Sequence, residues 1–169
     1  MKKRLLIILS VLTALVLVGS VIFYIYFNFF YAKSVNLTYG DSLSNIDVYT
    51  HDGEKTDFLN TPSKYKVIFY TSNHCQACLN DLEAISRIMK LYNSNNFEFA
   101  ILWEGGLPEN RIKKAGIEIG KNYSLKNQVK LSSLTPRGFI INGNNKVVFT
   151  SDADLELLTK KILEIQGNV

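Results

Sequence analysis

The sequence predicts an α/β fold, a mixed central sheet flanked by helices with an N-terminal β-hairpin, preceded by one transmembrane helix. Three observations carry this prediction. Leu5 to Phe30 contains no charged residue. From Ile46 onward, short β-branched and aromatic runs alternate with segments of helical period. Between one such run and the helical segment after it stands Cys75-Gln76-Ala77-Cys78, which holds both cysteines of the chain.

The N-terminal segment reads as an anchor. At about 1.5 Å per residue, Leu5 to Phe30 is long enough to cross the roughly 30 Å hydrocarbon layer with some tilt. Its outer end is aromatic, with Phe23, Tyr24, Tyr26, Phe27, Phe29, Phe30 and Tyr31 resembling an interfacial belt. Lys2, Lys3 and Arg4 precede the span and Lys33 follows it, which predicts a cytoplasmic N-terminus and an extracytoplasmic domain at a bacterial cell membrane. Val18-Gly19-Ser20 is a poor cleavage site, because the apolar run continues well beyond it. The expected division is therefore a cytoplasmic stub and anchor over 1–33, a polar lead over 34–44 and one soluble domain over 45–169.

Charge excludes one function class. The formal net charge is +4 and the pI about 9.0, but Lys2, Lys3, Arg4 and Lys33 account for the whole excess. From Ser34 onward basic and acidic residues balance. A nucleic-acid partner needs clustered Lys and Arg on the folded domain, so none is expected. Two cysteines in a domain large enough to bury a core point to chemistry rather than to cross-linking.

Within the domain, Ile46 to Thr50 and Glu54 to Phe58 flank His51-Asp52-Gly53, a hairpin signal. Val67 to Thr71 is a continuous apolar and aromatic run, as for a strand buried on both faces. From Cys75 onward, Leu79, Leu82, Ile85, Ile88, Met89 and Tyr92 recur at three- and four-residue steps and predict one amphipathic helix. Asp81 and Glu83 near its start, and Arg87 and Lys90 near its end, suit the helix dipole. Phe97 to Trp103 predicts a second buried strand, ended by Gly105-Gly106, and Pro108 to Ala115 a short helix. Gly116 to Leu131 gives no clear period. Arg137 to Asn142 and Lys146 to Thr150 form a second hairpin around Gly143-Asn144-Asn145, and Asp154 to Ile165 a closing amphipathic helix.

A thiol at a helix N-terminus has a lowered pKa, because free backbone N–H groups stabilise the thiolate. Cys78 lies one turn later on the same face. That spacing lets Cys75 attack a disulfide and lets Cys78 resolve the mixed disulfide that results. Cys75-x-x-Cys78 could be half of a zinc site, but zinc would need four ligands, and the two histidines, His51 and His74, lack the usual paired spacing. A bridge between residues three apart closes a tiny loop and adds little stability, so a purely structural disulfide is a weak reading. No metal is expected, and no cofactor beyond a redox-active Cys75–Cys78 disulfide, since no G-x-G-x-x-G signature is present.

Leu134-Thr135-Pro136-Arg137-Gly138-Phe139-Ile140-Ile141 makes a resemblance specific. It is similar to the segment of the thioredoxin superfamily in which a cis-proline opens a strand facing the C-x-x-C. With the leading hairpin, the Asn-Asn hairpin before Val147-Val148-Phe149 and the anchor, the chain resembles the membrane-anchored TlpA/ResA-like branch over about Asp41 to Gln166. The resemblance implies a thioredoxin-like fold, Cys75 as nucleophile, Cys78 as resolving cysteine, Pro136 as the cis residue and Thr135 as a source of backbone groups for substrate. There are departures. His74 stands where the family carries Trp, Gln76-Ala77 replaces a pair that often contains Pro, and Phe69 occupies the place of thioredoxin's buried Asp. Asp81 matches in place the Glu of ResA-like proteins, which suggests an acid/base role, and the same residue also suits a first helical turn. His74, when protonated, would stabilise the neighbouring thiolate, although it equally reads as a loop residue. Trp103 and Glu104 end a strand near the same edge, where a substrate groove is one reading and core filling by Trp103 the better one.

The expected function is an extracytoplasmic, membrane-tethered thiol-disulfide oxidoreductase, an enzyme that exchanges disulfides with exported proteins, mainly as a reductase. Its expected partners are thiol- or disulfide-containing clients and a membrane redox protein that supplies or removes electrons. A thiol oxidase for secreted proteins or peptides is the alternative, and a non-enzymatic tethered binding module the second. A peroxidase would need Thr-x-x-Cys, whereas Thr71 lies four residues before Cys75.

Overall fold

The computed structural model describes residues 12–24, 33–34, 36–43, 46–61, 63–94, 96–125, 129–132 and 135–167. The chain divides into two compact units, Met1–Lys33 and Ser34–Val169. In the first, residues 12–24 form helix α1, with all their side chains exposed. Among the described residues no helix is long and apolar enough to cross a membrane. Residues 5–11 and 25–30 of the expected span lie outside the described residues.

Beta-branched and aromatic content sets the centre of the second unit. Tyr65–Ser72 forms β4 and Phe97–Glu104 forms β5, two parallel strands in register from Tyr65↔Phe97 to Ser72↔Glu104. Around them lie β2 (Val48–Tyr49), β3 (Lys55–Thr56), β6 (Asn122–Leu125), β8 (Arg137–Asn142) and β9 (Val147–Asp152). The order across the seven-stranded sheet is β3-β2-β6-β5-β4-β8-β9, with β4–β5 and β5–β6 parallel and the other pairs antiparallel. A separate two-stranded ladder joins β1 (Lys33–Ser34) and β7 (Val129–Lys130).

Side chains alternate across a strand, so the sheet has two distinct inner faces. Val67, Phe69, Phe99, Ile101, Trp103 and Ile140 pack on one side with residues of α3 (Leu82–Leu91), α4 (Glu109–Lys114) and α5 (Leu155–Gly167). Ile68, Tyr70, Ala100, Leu102, Phe139 and Ile141 pack on the other with Leu37, Leu43, Leu131 and the 3-10 turn η1 (Phe58–Asn60).

The fold departs from the sequence reading at three places. The segment taken as a polar lead carries Leu37 and Leu43 into the core, at 2% and 0% exposure, tied by Leu37 N–H to Leu131 O at 3.1 Å and Gly40 N–H to Val147 O at 2.8 Å. The expected helix after Cys75 is two pieces, α2 (Gln76–Asn80) and α3, meeting at Asp81. Asp81 N–H to Ala77 O closes α2 and Ile85 N–H to Asp81 O opens α3, and Leu79, Leu82, Ile85, Ile88, Met89 and Tyr92 still pack into one cluster. Strand β6 lies in the stretch without clear period, just after the 3-10 turn η2 (Ile119–Lys121). Its polar residues conceal it: Asn122 accepts the Trp103 indole N–H at 3.0 Å, and Tyr123 stacks on Phe58 at 4.5 Å.

Candidate active site

Strand β4 delivers the cysteine pair. After Ser72 the chain turns through Asn73 and His74, with Cys75 N–H donating to Ser72 O at 3.2 Å and His74 N–H to Ser72 Oγ at 3.3 Å. The turn fits against the end of β5. Gly105 has φ +88°, and a Cβ there would meet Asn73 Oδ1 at 3.0 Å, so both backbone and space favour glycine.

Cys75 then caps α2 in an extended conformation, with φ −95° and ψ 106°. Its sulfur accepts the Cys78 N–H at 3.1 Å, one of the free donors at a helix start. On its other side Cys75 Sγ lies 3.7 Å from Thr135 O. As half of a disulfide this sulfur has no proton, so that approach is a contact. In the dithiol form the same placement lets the thiol donate to Thr135 O. The Thr135–Pro136 peptide bond is cis, and Pro136 is buried.

Cys75 and Cys78 are joined by a disulfide with Cα atoms 5.2 Å apart. Their exposure differs: Cys75 is half-buried and Cys78 wholly buried at 0%. An incoming thiolate therefore reaches Cys75 Sγ first, and Cys78 is the natural leaving group.

Cys75, Cys78, Thr135 and Pro136 thus converge on one end of the sheet. His74 is beside them in the chain and exposed. Asp81 is half-buried at the α2–α3 junction, and its side chain does not cap α3. Trp103 is core, fully buried. Beyond β5, Gly105, Gly106 and Leu107 line an open hollow of about 350 Å³ together with Thr50, His51 and Ser124. Among the described residues no three His, Cys, Asp or Glu side chains gather as a metal site.

One pair near this end was not read from the sequence. Tyr70, fully buried, donates its hydroxyl to Glu104 Oε2 at 3.0 Å. Burial first, and then the Glu104 charge and hydrogen bond, push the Tyr70 pKa well above 10. The pairing has no signal in either residue alone; it follows from the parallel register that sets Glu104 beside Ser72, two residues beyond Tyr70.

No family model and no curated protein matches the sequence. Solved structures do match. One is described as a domain of a "possible thiol-disulfide isomerase" from Cytophaga hutchinsonii, with 14% identity, TM-score 0.62, and coverage of 78% of this chain and 95% of that one. A peroxiredoxin-like protein from Aquifex aeolicus has 16% identity and TM-score 0.60 over 77% of this chain and 88% of its own. A thioredoxin-like protein from Bacteroides caccae has 14% identity and TM-score 0.56 over 75% of this chain, which spans 49% of that protein's length. Together with the sheet order and the helix-start cysteine pair, these similarities identify the fold of the chain as thioredoxin-like.

Proposed function

We propose that the chain is a membrane-tethered, extracytoplasmic thiol-disulfide oxidoreductase that acts on exported proteins through Cys75 and Cys78, principally as a reductase. The observation that carries this reading is the asymmetry of the pair: a half-buried Cys75 Sγ that accepts the Cys78 N–H at 3.1 Å, bonded to a fully buried Cys78. The N–H favours the thiolate of Cys75, and burial shields Cys78 from outside disulfides.

In the reducing direction the Cys75 thiolate attacks a client disulfide. A Cys75–client bond forms, and one client sulfur leaves with the electron pair and takes up a proton. The Cys78 thiolate then attacks Cys75 Sγ, the Cys75–Cys78 bond forms, and the second client sulfur leaves as a thiolate and is protonated. Two electrons and two protons pass to the client. A membrane redox protein on the same side returns the electrons, and the tether over 1–33 keeps the domain near it. Neighbours described as thiol-disulfide proteins support the chemistry, while the charge pattern around Leu5 to Phe30 supports the location.

Substitution separates the reading from a tethered binding module. Cys75→Ser is expected to abolish dithiol-driven reduction of a model disulfide protein, and Cys78→Ser to accumulate a client joined to Cys75, visible as a shifted band that a reductant removes. Full function in both variants sinks the redox reading. The reduction potential sets the direction: a value near about −270 mV fits a reductase and one near about −120 mV an oxidant.

A further inference from the structure

We infer that the Thr71 hydroxyl is the hydrogen-bond donor that receives the Cys78 thiolate each time the Cys75–Cys78 bond opens, an inference that rests on the redox reading above. Thr71 is completely buried, and its Oγ1 has no hydrogen-bond partner among the described residues. A buried hydroxyl left unsatisfied destabilises the fold. Its position gives the cost a purpose.

Strand alternation puts Thr71 on the face of Val67 and Phe69, where Phe69 and Leu82 share one cluster. One step along that face, in the chain direction, leads from Phe69 to Thr71. Cys78 lies four residues before Leu82, on the other side of the α2–α3 junction at Asp81, where one four-residue bond ends and the next begins. Thr71 and the buried Cys78 therefore both lie towards the disulfide end of the helix-covered face, beyond Phe69 and Leu82. The neighbouring ladder agrees. The β4–β8 pairs end at Tyr70↔Arg137, so the next residue of β4, Thr71, comes level with Pro136, beside the Thr135 carbonyl that contacts Cys75 Sγ at 3.7 Å.

The chemistry calls for such a donor on one sulfur only. When a thiolate attacks Cys75 Sγ, a new bond forms there, the Cys75–Cys78 bond breaks, and Cys78 departs with the electron pair. That charge appears at a site with no solvent exposure, and Phe69 supplies no carboxyl group to manage a proton. In the disulfide the hydroxyl has no partner among the described residues. In the opened state the O–H donates to a charged sulfur and stabilises it. The same bond lowers the cost of deprotonating Cys78 when it resolves a mixed disulfide. Cys75, which has the Cys78 N–H, does not depend on it.

An aromatic disulfide reagent such as dithionitrobenzoate separates the two sulfurs. The reduced protein releases a first aromatic thiolate as Cys75 forms a mixed disulfide, and a second as Cys78 closes the ring. In Thr71→Val, which keeps shape and removes the hydroxyl, the second phase is expected to slow about tenfold at pH 7, its pH midpoint moving up by about one unit. The first phase should be unchanged, and Thr71→Ser should restore the second. Comparing Thr71→Ala with Thr71→Ser isolates the hydroxyl should the valine variant fold poorly. Equal second-phase pH profiles with and without the hydroxyl overturn the inference. Absence of both phases in the wild type overturns instead the redox reading on which it rests.

Discussion

The two faces of the sheet are buried to the same depth and built on opposite principles. On the helix-covered face, Val67, Phe69, Ile101, Trp103 and Ile140 meet Leu82, Ile85, Leu158 and Ile162, an almost wholly apolar contact. On the loop-covered face, Lys66 and Tyr70, at 1% and 0% exposure, sit in the same rows as Ile68, Phe139 and Ile141. The cover explains the contrast. A helix has spent its central N–H and C=O groups on itself and offers a facing side chain nothing polar. Loops keep open backbone groups, and these are what the polar side chains use: Lys66 Nζ donates to Thr61 O, and the backbone of Leu131 hydrogen-bonds Tyr70. Two buried hydroxyls on the helix-covered face, Thr71 and Ser151, accordingly have no partner among the described residues.

If this contrast is right, truncation on the helix-covered face is expected to have the largest effect. Phe69→Ala removes a ring at 2% exposure from the centre of that cluster and leaves a cavity that Leu82 and Ile85 cannot close. Urea unfolding should show a loss of about 3–5 kcal/mol. A loss below about 1 kcal/mol would mean that the face is loosely packed and that the contrast in cover does not matter.

The same contrast explains what was legible beforehand. Continuous apolar runs mark strands buried on both sides, so β4, β5 and the closing hairpin stood out, and the three- and four-residue steps from Leu79 to Tyr92 marked the helix over them. The loop-covered side was illegible for the reason that makes it possible. Leu37 and Leu43 are single apolar residues in a polar stretch, tied down by backbone bonds that no periodicity reports. Lys66 directly precedes the apolar run that begins at Val67, and a charged residue there carries no signal of burial, yet it is buried. At the candidate active site, Cys75-x-x-Cys78 and Thr135-Pro136 are visible as motifs. Thr71 closes an apolar run and fails a peroxidase spacing, and its hydroxyl acquires meaning only from what lies near it in the fold.

Tyr70→Phe tests the loop-covered face at the end nearer the cysteine pair. It removes the hydroxyl that donates to Glu104 at 3.0 Å and fills the same space, so a loss of about 1.5 kcal/mol near pH 7 is expected for a hydrogen bond to a charged acceptor. The pH dependence has a sign. Burial and Glu104 raise the folded-state pKa of Tyr70 above its ordinary value of 10.0. The unfolded chain therefore loses that proton first, and the wild type should lose stability as pH rises past about 10 more steeply than the variant does. Parallel stability curves across that window would show that Tyr70 is not held in its protonated form.

Lys66→Met is the smallest and has the opposite sign. Burial, opposed by the Glu98 charge, lowers the folded-state pKa of Lys66 below its ordinary 10.5. Between the folded value and 10.5 the unfolded chain binds more protons, so this lysine's contribution improves as pH rises through that window and is lost as pH falls. At neutral pH the charged amine is retained against its preference for water, and a methionine of similar length is expected to stabilise the domain by about 1 kcal/mol. The gain should shrink steadily towards pH 10.5. A gain that stays constant with pH would place the effect in packing alone. A loss at pH 7 would show that the Thr61 carbonyl and Glu98 more than offset the burial of the amine, making the loop-covered face a site built around its lysine rather than one that tolerates it.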